Sequence, residues 1–532
     1  MYSSIPLSDL VIGARFLWRL PGFLRHPITL EDARAALRRR LEWRELDFLA
    51  MARRAIYEHP GSPYRQFLAL AGCEYGDLER LVRREGVEGA LSVLSGQGVY
   101  LTVEEFKGRR PAVRGSATIA VDPQRLRNPQ AGAHVPASSG GSRGVATPTV
   151  IDLAFIRDRA VDTRLVFDAR GGAEWRNAIW KVPGSTATLR ALEFSVFGAP
   201  PVRWFSQVDP AAPEIAPRYR WSVRAMRGAS LLAGVSLPCP RYVPLEDSLP
   251  IARWMVEMLR GGFTPHLYTT PSSAVRLCRA ASEASMDLRG AQFTMASEPT
   301  TAARLAVVRE SGATAQACYS IVESGHIGYG CLAPEAPDDM HLLHDLHAII
   351  QPRKEAADPH FPPGALLMSS LRPTAPFMLL NVSMGDQAVL APRRCDCPLA
   401  RLGWTTHLHT IRSYEKLTAG GMTFLDTDVI RVLEEVLPAH FGGAPTDYQL
   451  VEQDGGDGRP RLRMLVHPDL GPLDTERVRE VFLAAISRGP GGHQVMALLW
   501  RDAHLLQVER RAPVPTAAGK ILHLHLERPA PD

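Results

Sequence analysis

The stretch from His134 to Thr149, HVPASSGGSRGVATPT, constrains this chain most. A Ser-Ser-Gly-Gly-Ser-Arg-Gly run follows a short strand-like segment and leads into the apolar run VIDLAFI. Glycines and small hydroxyl residues let several backbone N–H groups converge on one anion. No bulky side chain blocks the approach, and serine hydroxyls add donors. Such a loop suits a triphosphate tail. The same composition also makes a solvated linker, so both readings stand at this point. It is not a Walker loop, because no Gly-Lys-Ser/Thr follows.

The chain has 532 residues, too many for one ordinary core, and two or more domains are expected. Its apolar fraction of 45% and charged fraction of 22% are those of a soluble globular protein. A net charge of +5 is small for this length. It argues against a dedicated nucleic-acid binder and leaves room for an anionic substrate. The segment LVIGARFLWRLPGFL contains Arg15, Arg19 and Pro21. It is too short and too charged to span a bilayer, and reads as an amphipathic helix packed on the main body. With no secretory leader pattern, the 7 cysteines read as cytosolic thiols or metal ligands, and a cytoplasmic location is expected.

Taken in order, residues 1–110 read mostly as helix. Thr29 is the expected N-cap of a long helix that runs through LEDARAALRRRLEWRELDFLAMARRAIYEH, with Glu31 and Asp32 in its first turn. YGDLERLVRREGVEGALSVL is a second helix, ending before Gly96, and VYLTVEEFKGRRPAV reads as a strand and turn. Between 110 and 300, RLVFDA and HLYTT read as strands, ARWMVEMLR and SSAVRLCRAASEA as helices. This alternation argues for α/β layers. AQFTMASEP reads as a buried strand emptying into a small-residue turn. Ligands in open α/β sheets lie at the carboxyl ends of strands, which singles out Ser297, Glu298 and Pro299. In ACYSIVESGHIGYGC a strand again runs into a loop. There Glu323 can hold magnesium against phosphates, since magnesium takes carboxylate and phosphate oxygens together with water. In the C-terminal part, DTDVIRVLEEVLP and DTERVREVFLAAI read as helices with Asp caps, YQLVEQ and RLRMLVHP as strands, and ILHLH as an edge strand.

Together these stretches resemble the adenylate-forming superfamily of acyl-CoA synthetases, adenylation domains and luciferases, and within it the phenylacetate-CoA ligase branch. PASSGGSRG resembles the phosphate loop, MASEP the adenine-side turn and CYSIVESG the Tyr-x-x-(Thr)-Glu motif. VSMGD resembles the Thr-Gly-Asp motif, TIRSYEKLTAGGM the hinge, and PTAAGKI the Pro-Thr-x-x-Gly-Lys tail. Each is short, but six matches in family order reinforce one another across roughly residues 130 to 525. The resemblance implies a large multi-layer α/β adenylation domain over residues 1–411, with its first part helical. It also implies a small mobile α+β domain over 412–532. The nucleotide site it implies comprises Ser138, Ser139, Gly140, Gly141, Ser142, Ser297, Glu298, Pro299, Cys318, Tyr319, Ser320, Asp386 and Arg412. Tyr319 would lie against adenine and Asp386 on the ribose. Glu323 would hold magnesium, and Lys520 would be the adenylation lysine, with Arg412 at the hinge.

The chain departs from the family pattern at four points. Gly141 replaces a Thr or Ser, Arg143 stands near a usual Gly, Val322 replaces the Thr before Glu323, and Glu415 replaces an Asp of this branch. A second constellation, Cys331, His341, Cys395 and Cys397, offers three thiolates and one imidazole, a tetrahedral zinc set. Some members of the branch carry zinc at such a pattern. Scattered buried thiols are the other reading. The resemblance implies ATP, Mg2+ and a structural Zn2+ as cofactors. The implied activity is adenylation of an aryl or acyl acid, then transfer to CoA or a carrier-protein thiol. Three alternatives stand beside it: an amine acceptor, activation of nitrite for diazotisation, and a non-catalytic nucleotide-binding scaffold. A homodimer is common in the branch. Trp204, Phe205 and Phe263 are the aromatic residues expected near the acid, and an aromatic lining suits an aryl acid.

Overall fold

The computed structural model describes residues 7–130, 134–138, 148–182, 184–212, 217–352, 361–414, 418–419, 422–423, 426–454, 460–487, 506–516 and 519–527. One large sheet organises them. Its strands, in chain order, are β1 (Arg176–Lys181), β2 (Arg203–Ser206), β3 (Pro240–Tyr242), β4 (Pro265–Thr269), β5 (Gln292–Ala296) and β6 (Thr314–Ile321). They continue as β7 (Gly325–Gly330), β8 (Met340–Leu342), β9 (His347–Ile350), β10 (Ala365–Ser370), β11 (Val382–Pro392) and β12 (Thr406–Ser413). Across the sheet the order is β9-β10-β11-β12-β8-β7-β6-β5-β4-β1-β2-β3. The half from β6 to β3 is parallel, and the half from β7 to β9 is antiparallel.

Burial on both faces explains the near-continuous apolar strands of the parallel half. Side chains alternate across it. Ile179, Trp204, Tyr268, Ala296 and Cys318 pack under the helices Leu153–Ala169 and Ser185–Val196. Ala178, Trp180, Phe205, Leu267 and Phe293 pack on the opposite side, against Leu249–Arg260 and Pro271–Glu283. The N-terminal helices divide between the halves. Phe16, Leu20, Ala33 and Leu37 join the first of these layers, while Phe48, Leu78, Leu91 and Leu94 cover the antiparallel half.

Thr29 caps Leu30–Glu42 in a capping box with Asp32, as expected. The long helix drawn from the sequence is instead broken: Trp43 ends it, a new helix spans Arg44–Ala52, and a wide turn follows at Arg53–Tyr57. RLVFDA is not a strand. It forms the last turns of the helix Leu153–Ala169, whose buried neighbours on two sides give it an apolar run without strand alternation. VYLTVEEFKGRRPAV holds a short helix, Val103–Phe106, before its strand, because Thr102 and Glu105 form a capping box. Residues 429–524 contribute a separate apolar core, including Val432, Tyr448, Met464, Phe482 and Leu524, around a four-stranded sheet among the described residues. ILHLH ends in the strand Leu524–Glu527 at one edge of that sheet. Among the described residues no helix is long and apolar enough to cross a membrane.

Candidate functional site

The sheet changes from parallel to antiparallel at the turn Val322–Ser324, between β6 and β7. The turn lies at the carboxyl end of β6, the end of a strand at which open α/β sheets hold ligands. Gly325 makes the turn possible. Its φ is +92°, and a Cβ there would lie 2.9 Å from Phe155 Cζ and 3.1 Å from Arg159 Nη1. Tyr319 sits at the end of β6 and donates from its hydroxyl to Asp386 Oδ2 at 2.7 Å. Burial and the Asp386 charge push that hydroxyl well above its ordinary value. Glu323 is buried, and burial lifts its carboxyl; local backbone N–H groups and Lys107 oppose this, while Asp386 adds to it. A carboxylate so placed gains from a divalent cation. Tyr319, Glu323 and Asp386 thus come together in the structure.

Ser138 ends the strand His134–Ser138, which pairs antiparallel with Pro148–Asp152. Ser139, Gly140, Gly141, Ser142, Arg143, Glu415 and Gly421 lie outside the described residues. At the turn after β5, Ser297 holds a φ of 80°, unusual for a residue with a side chain. Glu298 is not open to a ligand. Its carboxylate accepts from Ser272 N at 2.9 Å, Ser272 Oγ at 2.7 Å and Arg304 Nη1 at 2.9 Å. Cys318 points under the helical layer, opposite to Tyr319, and burial holds its thiol at about 11 although Arg190 and Arg159 draw it down. It is a neutral thiol near neutral pH. Ser320 lies opposite His326 in the ladder. Arg412 lies inside β12 and donates to Asp338 Oδ2 at 2.9 Å. Asp338 also accepts from the backbone of Thr410 and Ile411, at 2.8 and 2.9 Å. Thr410 has a φ of 55°, so the backbone before the expected hinge is already strained.

Lys520 comes from a closed turn. Thr516 N donates to Lys520 O at 2.8 Å, and Lys520 N to Thr516 Oγ1 at 3.2 Å. Gly519, at φ +70°, presses this turn on the large sheet; a Cβ there would lie 2.0 Å from Gln207 Oε1 and 3.4 Å from Val182 Cγ1. Beside it is a residue the motifs did not flag. Lys181, last in β1, is buried, and its Nζ donates to Ala296 O at 3.3 Å. Burial first, and Lys520 second, lower it to about 7 against a pull from Glu298. The C-terminal unit also docks through Glu434, which accepts from Arg304 Nε at 2.7 Å, from the Thr301 hydroxyl and from His523 at 2.6 Å.

The three aromatic residues do not form one wall. Trp204 and Phe205 point to opposite faces of β2, and Phe263 is exposed with Arg176 stacked on its ring at 4.4 Å. Alternation along a strand separates Trp204 from Phe205.

Cys331, His341 and Cys395 converge, and with them comes His407: one ligand atom from each of these four lies within 4.8 Å of the others. His341 Nδ1 meets Trp404 O at 2.7 Å and His407 Nδ1 meets Asp339 Oδ1 at 2.8 Å, so both rings turn Nε2 toward Cys395 Sγ, at 3.7 and 3.8 Å. A carbonyl and a carboxylate behind the imidazoles are the usual second partners of metal-binding histidines. Cys397 is not one of these four. Its sulfur caps the short helix Pro398–Arg401, accepting from Leu399 N at 3.4 Å, with His341 as a further neighbour. His407 was missed because it lies beyond the Cys-x-Cys pair. Its signal is the alternation THLHT, which puts it on one face of a strand beside β8, opposite His341.

No family of related sequences and no curated protein matches the chain by sequence. Solved structures do match. The chain is similar to a structure of 2-hydroxyisobutyryl-CoA ligase in a postadenylation state with 2-HIB-AMP, at 15% identity over 95% of this chain and 91% of that one, with a TM-score of 0.53. A second structure of that ligase, with R3-HIB-AMP, matches at 14% identity over 92% of this chain and 89% of that one, with a TM-score of 0.54. The chain therefore has the fold of that ligase, with a large α/β body followed by a small C-terminal unit.

Proposed function

We propose that the protein is an ATP-dependent adenylate-forming ligase that activates a carboxylic acid and passes it to a thiol, with CoA as acceptor. The observation that carries this reading is the meeting at one strand switch of Tyr319, Glu323 and Asp386, with the Lys520 turn docked beside β1. Two structures of one ligase of this fold hold 2-HIB-AMP and R3-HIB-AMP, which supports it. In the reaction, a carboxylate oxygen attacks the α-phosphorus, and the bond to pyrophosphate breaks. A thiol sulfur then attacks the acyl carbonyl and AMP leaves. Anions must be gathered and their charge met by fixed donors. Asp386 fits the ribose hydroxyls, and Tyr319, braced by Asp386, fits the base. Lys520 brings a point charge to the attacking oxygen and the α-phosphate. Glu323 would hold a magnesium ion, which would supply positive charge against the leaving pyrophosphate. The hydroxyl missing at Val322 leaves the adenylate to Lys520 and to backbone donors.

We further propose a structural zinc at Cys331, Cys395 and His341, with His407 as fourth ligand and Cys397 beside it. The donor set and the paired Nδ1 partners fit that ion. It would tie β8 to β12.

Pyrophosphate release is the test, with acids of several classes and nitrite, with and without CoA, a carrier-protein thiol or an amine. Lys520→Ala is expected to keep ATP binding and lose release by about 100-fold or more. Intact ATP binding with no release from any acid overturns the ligase reading, and unchanged release in Lys520→Ala removes Lys520 from the chemistry.

A further inference from the structure

Two helices on the surface of the large body carry apolar and basic side chains that the fold leaves uncovered. Leu7–Leu24 and Pro217–Leu231 pack against each other. They share one core, through Phe16, Leu20 and Leu24 from the first and Val223 and Met226 from the second. Their C-terminal ends meet where Arg25 Nη2 donates to Leu232 O at 2.7 Å. The faces turned away from that core would be polar in an ordinary amphipathic helix. Here Trp18 is 86% exposed, and Val11, two turns earlier on the same stripe, is 62% exposed. Trp221 is 68% exposed, and Leu231 and Leu232, three turns later on its stripe, are 58% and 69% exposed.

The charge on this face has one sign. Residues 10–30 hold three arginines and no Asp or Glu, and residues 215–240 hold four arginines and again no Asp or Glu. Together these arginines outnumber the chain's net charge of +5, so its positive charge is concentrated here. Arg15, Arg19 and Arg25 are exposed, as is Arg224, whose guanidinium lies 5.6 Å from the Trp221 ring centroid.

The occupant must therefore be anionic and must also take apolar side chains. A second copy of the chain would set the same arginines against these, so charge opposes it. A nucleic acid backbone would meet the arginines and leave Val11, Leu231 and Leu232 against phosphates. An acidic protein would need preformed pockets for two tryptophans that stand this far out. A fluid layer of anionic headgroups needs none. Arginine pairs with headgroup phosphate there, and tryptophan and leucine enter the boundary with the acyl chains. We infer that this pair of helices docks the protein on a membrane surface rich in anionic lipid, as a peripheral contact. The inference stands apart from the ligase reading.

Flotation of the full-length protein with vesicles tests it, using phosphatidylcholine alone and phosphatidylcholine mixed with phosphatidylserine. Binding is expected to favour the mixed vesicles and to weaken as salt screens the arginines. Trp18→Ser combined with Trp221→Ser should weaken it by about 10-fold or more. Arg15→Gln, Arg19→Gln and Arg224→Gln, combined, should weaken it by up to about 5-fold for each arginine. All five side chains are exposed, so the melting temperature should stay that of the wild type. No flotation with either vesicle overturns the inference. Equal flotation with both, or flotation that neither set of substitutions changes, also overturns it. Light scattering, an acidic carrier protein and a DNA duplex test the other occupants. A dimer or complex that the tryptophan variant abolishes, without vesicle binding, assigns the face elsewhere and overturns the inference too.

Discussion

The docking of the C-terminal unit can be tested at one carboxylate, through Glu434→Gln. Glu434 and Arg304 each have side chains 1% exposed, and their Oε1–Nε distance is 2.7 Å. Burial raises the Glu434 carboxyl, but Arg304, His523 and Thr301 outweigh it and bring it from 4.5 to about 2. That shift corresponds to about 3 kcal/mol. Breaking a buried pair by removing one partner costs about 3–5 kcal/mol. Both figures set an upper bound of about 3 kcal/mol, or about 150-fold, on the loss in the docking equilibrium. His523 lies in the same unit as Glu434, so only the part carried by Arg304 and Thr301 opposes undocking. Hydrogen exchange of the helix Ala302–Glu310 and of the Lys520 turn reads it directly. Both should exchange faster in the variant, while the strands Tyr448–Asp454 and Pro460–Val466 stay protected. The pH dependence has a fixed sign. The folded value lies below the unfolded one, so the contribution is complete above about 4.5 and is lost as pH falls toward about 2. Docking in the wild type should weaken through that window, and the variant should lack this component. A coupling below about 0.5 kcal/mol in a double cycle of Glu434→Gln with Arg304→Gln would refute the reasoning.

Three further outcomes are expected. Metal analysis of purified protein should find about one zinc per chain, reduced several-fold in Cys395→Ser and in His407→Ala but less in Cys397→Ser; equal losses in all three would move the fourth ligand back to Cys397. Lys181, lowered from 10.5 to about 7, costs stability below pH 7, and this cost fades as pH rises toward 10.5. Lys181→Met should therefore be more stable than the wild type at pH 6, by up to a few kcal/mol, and lack that rise in thermal denaturation. Ser297→Gly should relieve the left-handed backbone and hold or raise the melting temperature, by about 1 kcal/mol of stability, whereas Ser297→Val should lower it.

Much of the site was legible because its residues sit in short segments with local rules. Tyr319 and Glu323 are read from one strand and its turn, and Lys520 from a turn that closes on its own Thr516. Helix caps such as Thr29 and Asp474 were legible for the same reason, since a cap hydrogen bond spans only two or three residues. RLVFDA was misread because helix Leu153–Ala169 is buried on several sides, and its polar rhythm disappears. Arg190 and Arg159 gave no signal, since arginine on a helix is ordinarily solvated. Only the meeting of two helices over β4 and β7 shows that both are inside.

Position in the fold separates what Asp338 and Asp339 do from what their motif announces. Next to each other in EAPDDMH, they look like a solvated acidic pair. Asp338 instead holds Arg412 and the backbone of Thr410 and Ile411, while Asp339 holds His407 and Arg393. β12 carries a partner of each, His407 near its start and Arg412 near its end. A metal gripping His407 would fix the start of the strand whose end leads into the C-terminal unit. The sequence separates the thiol cluster from the expected hinge, and the sheet joins them through adjacent carboxylates. Pairing of β8 with β12 is long-range, so no local rule could have announced it.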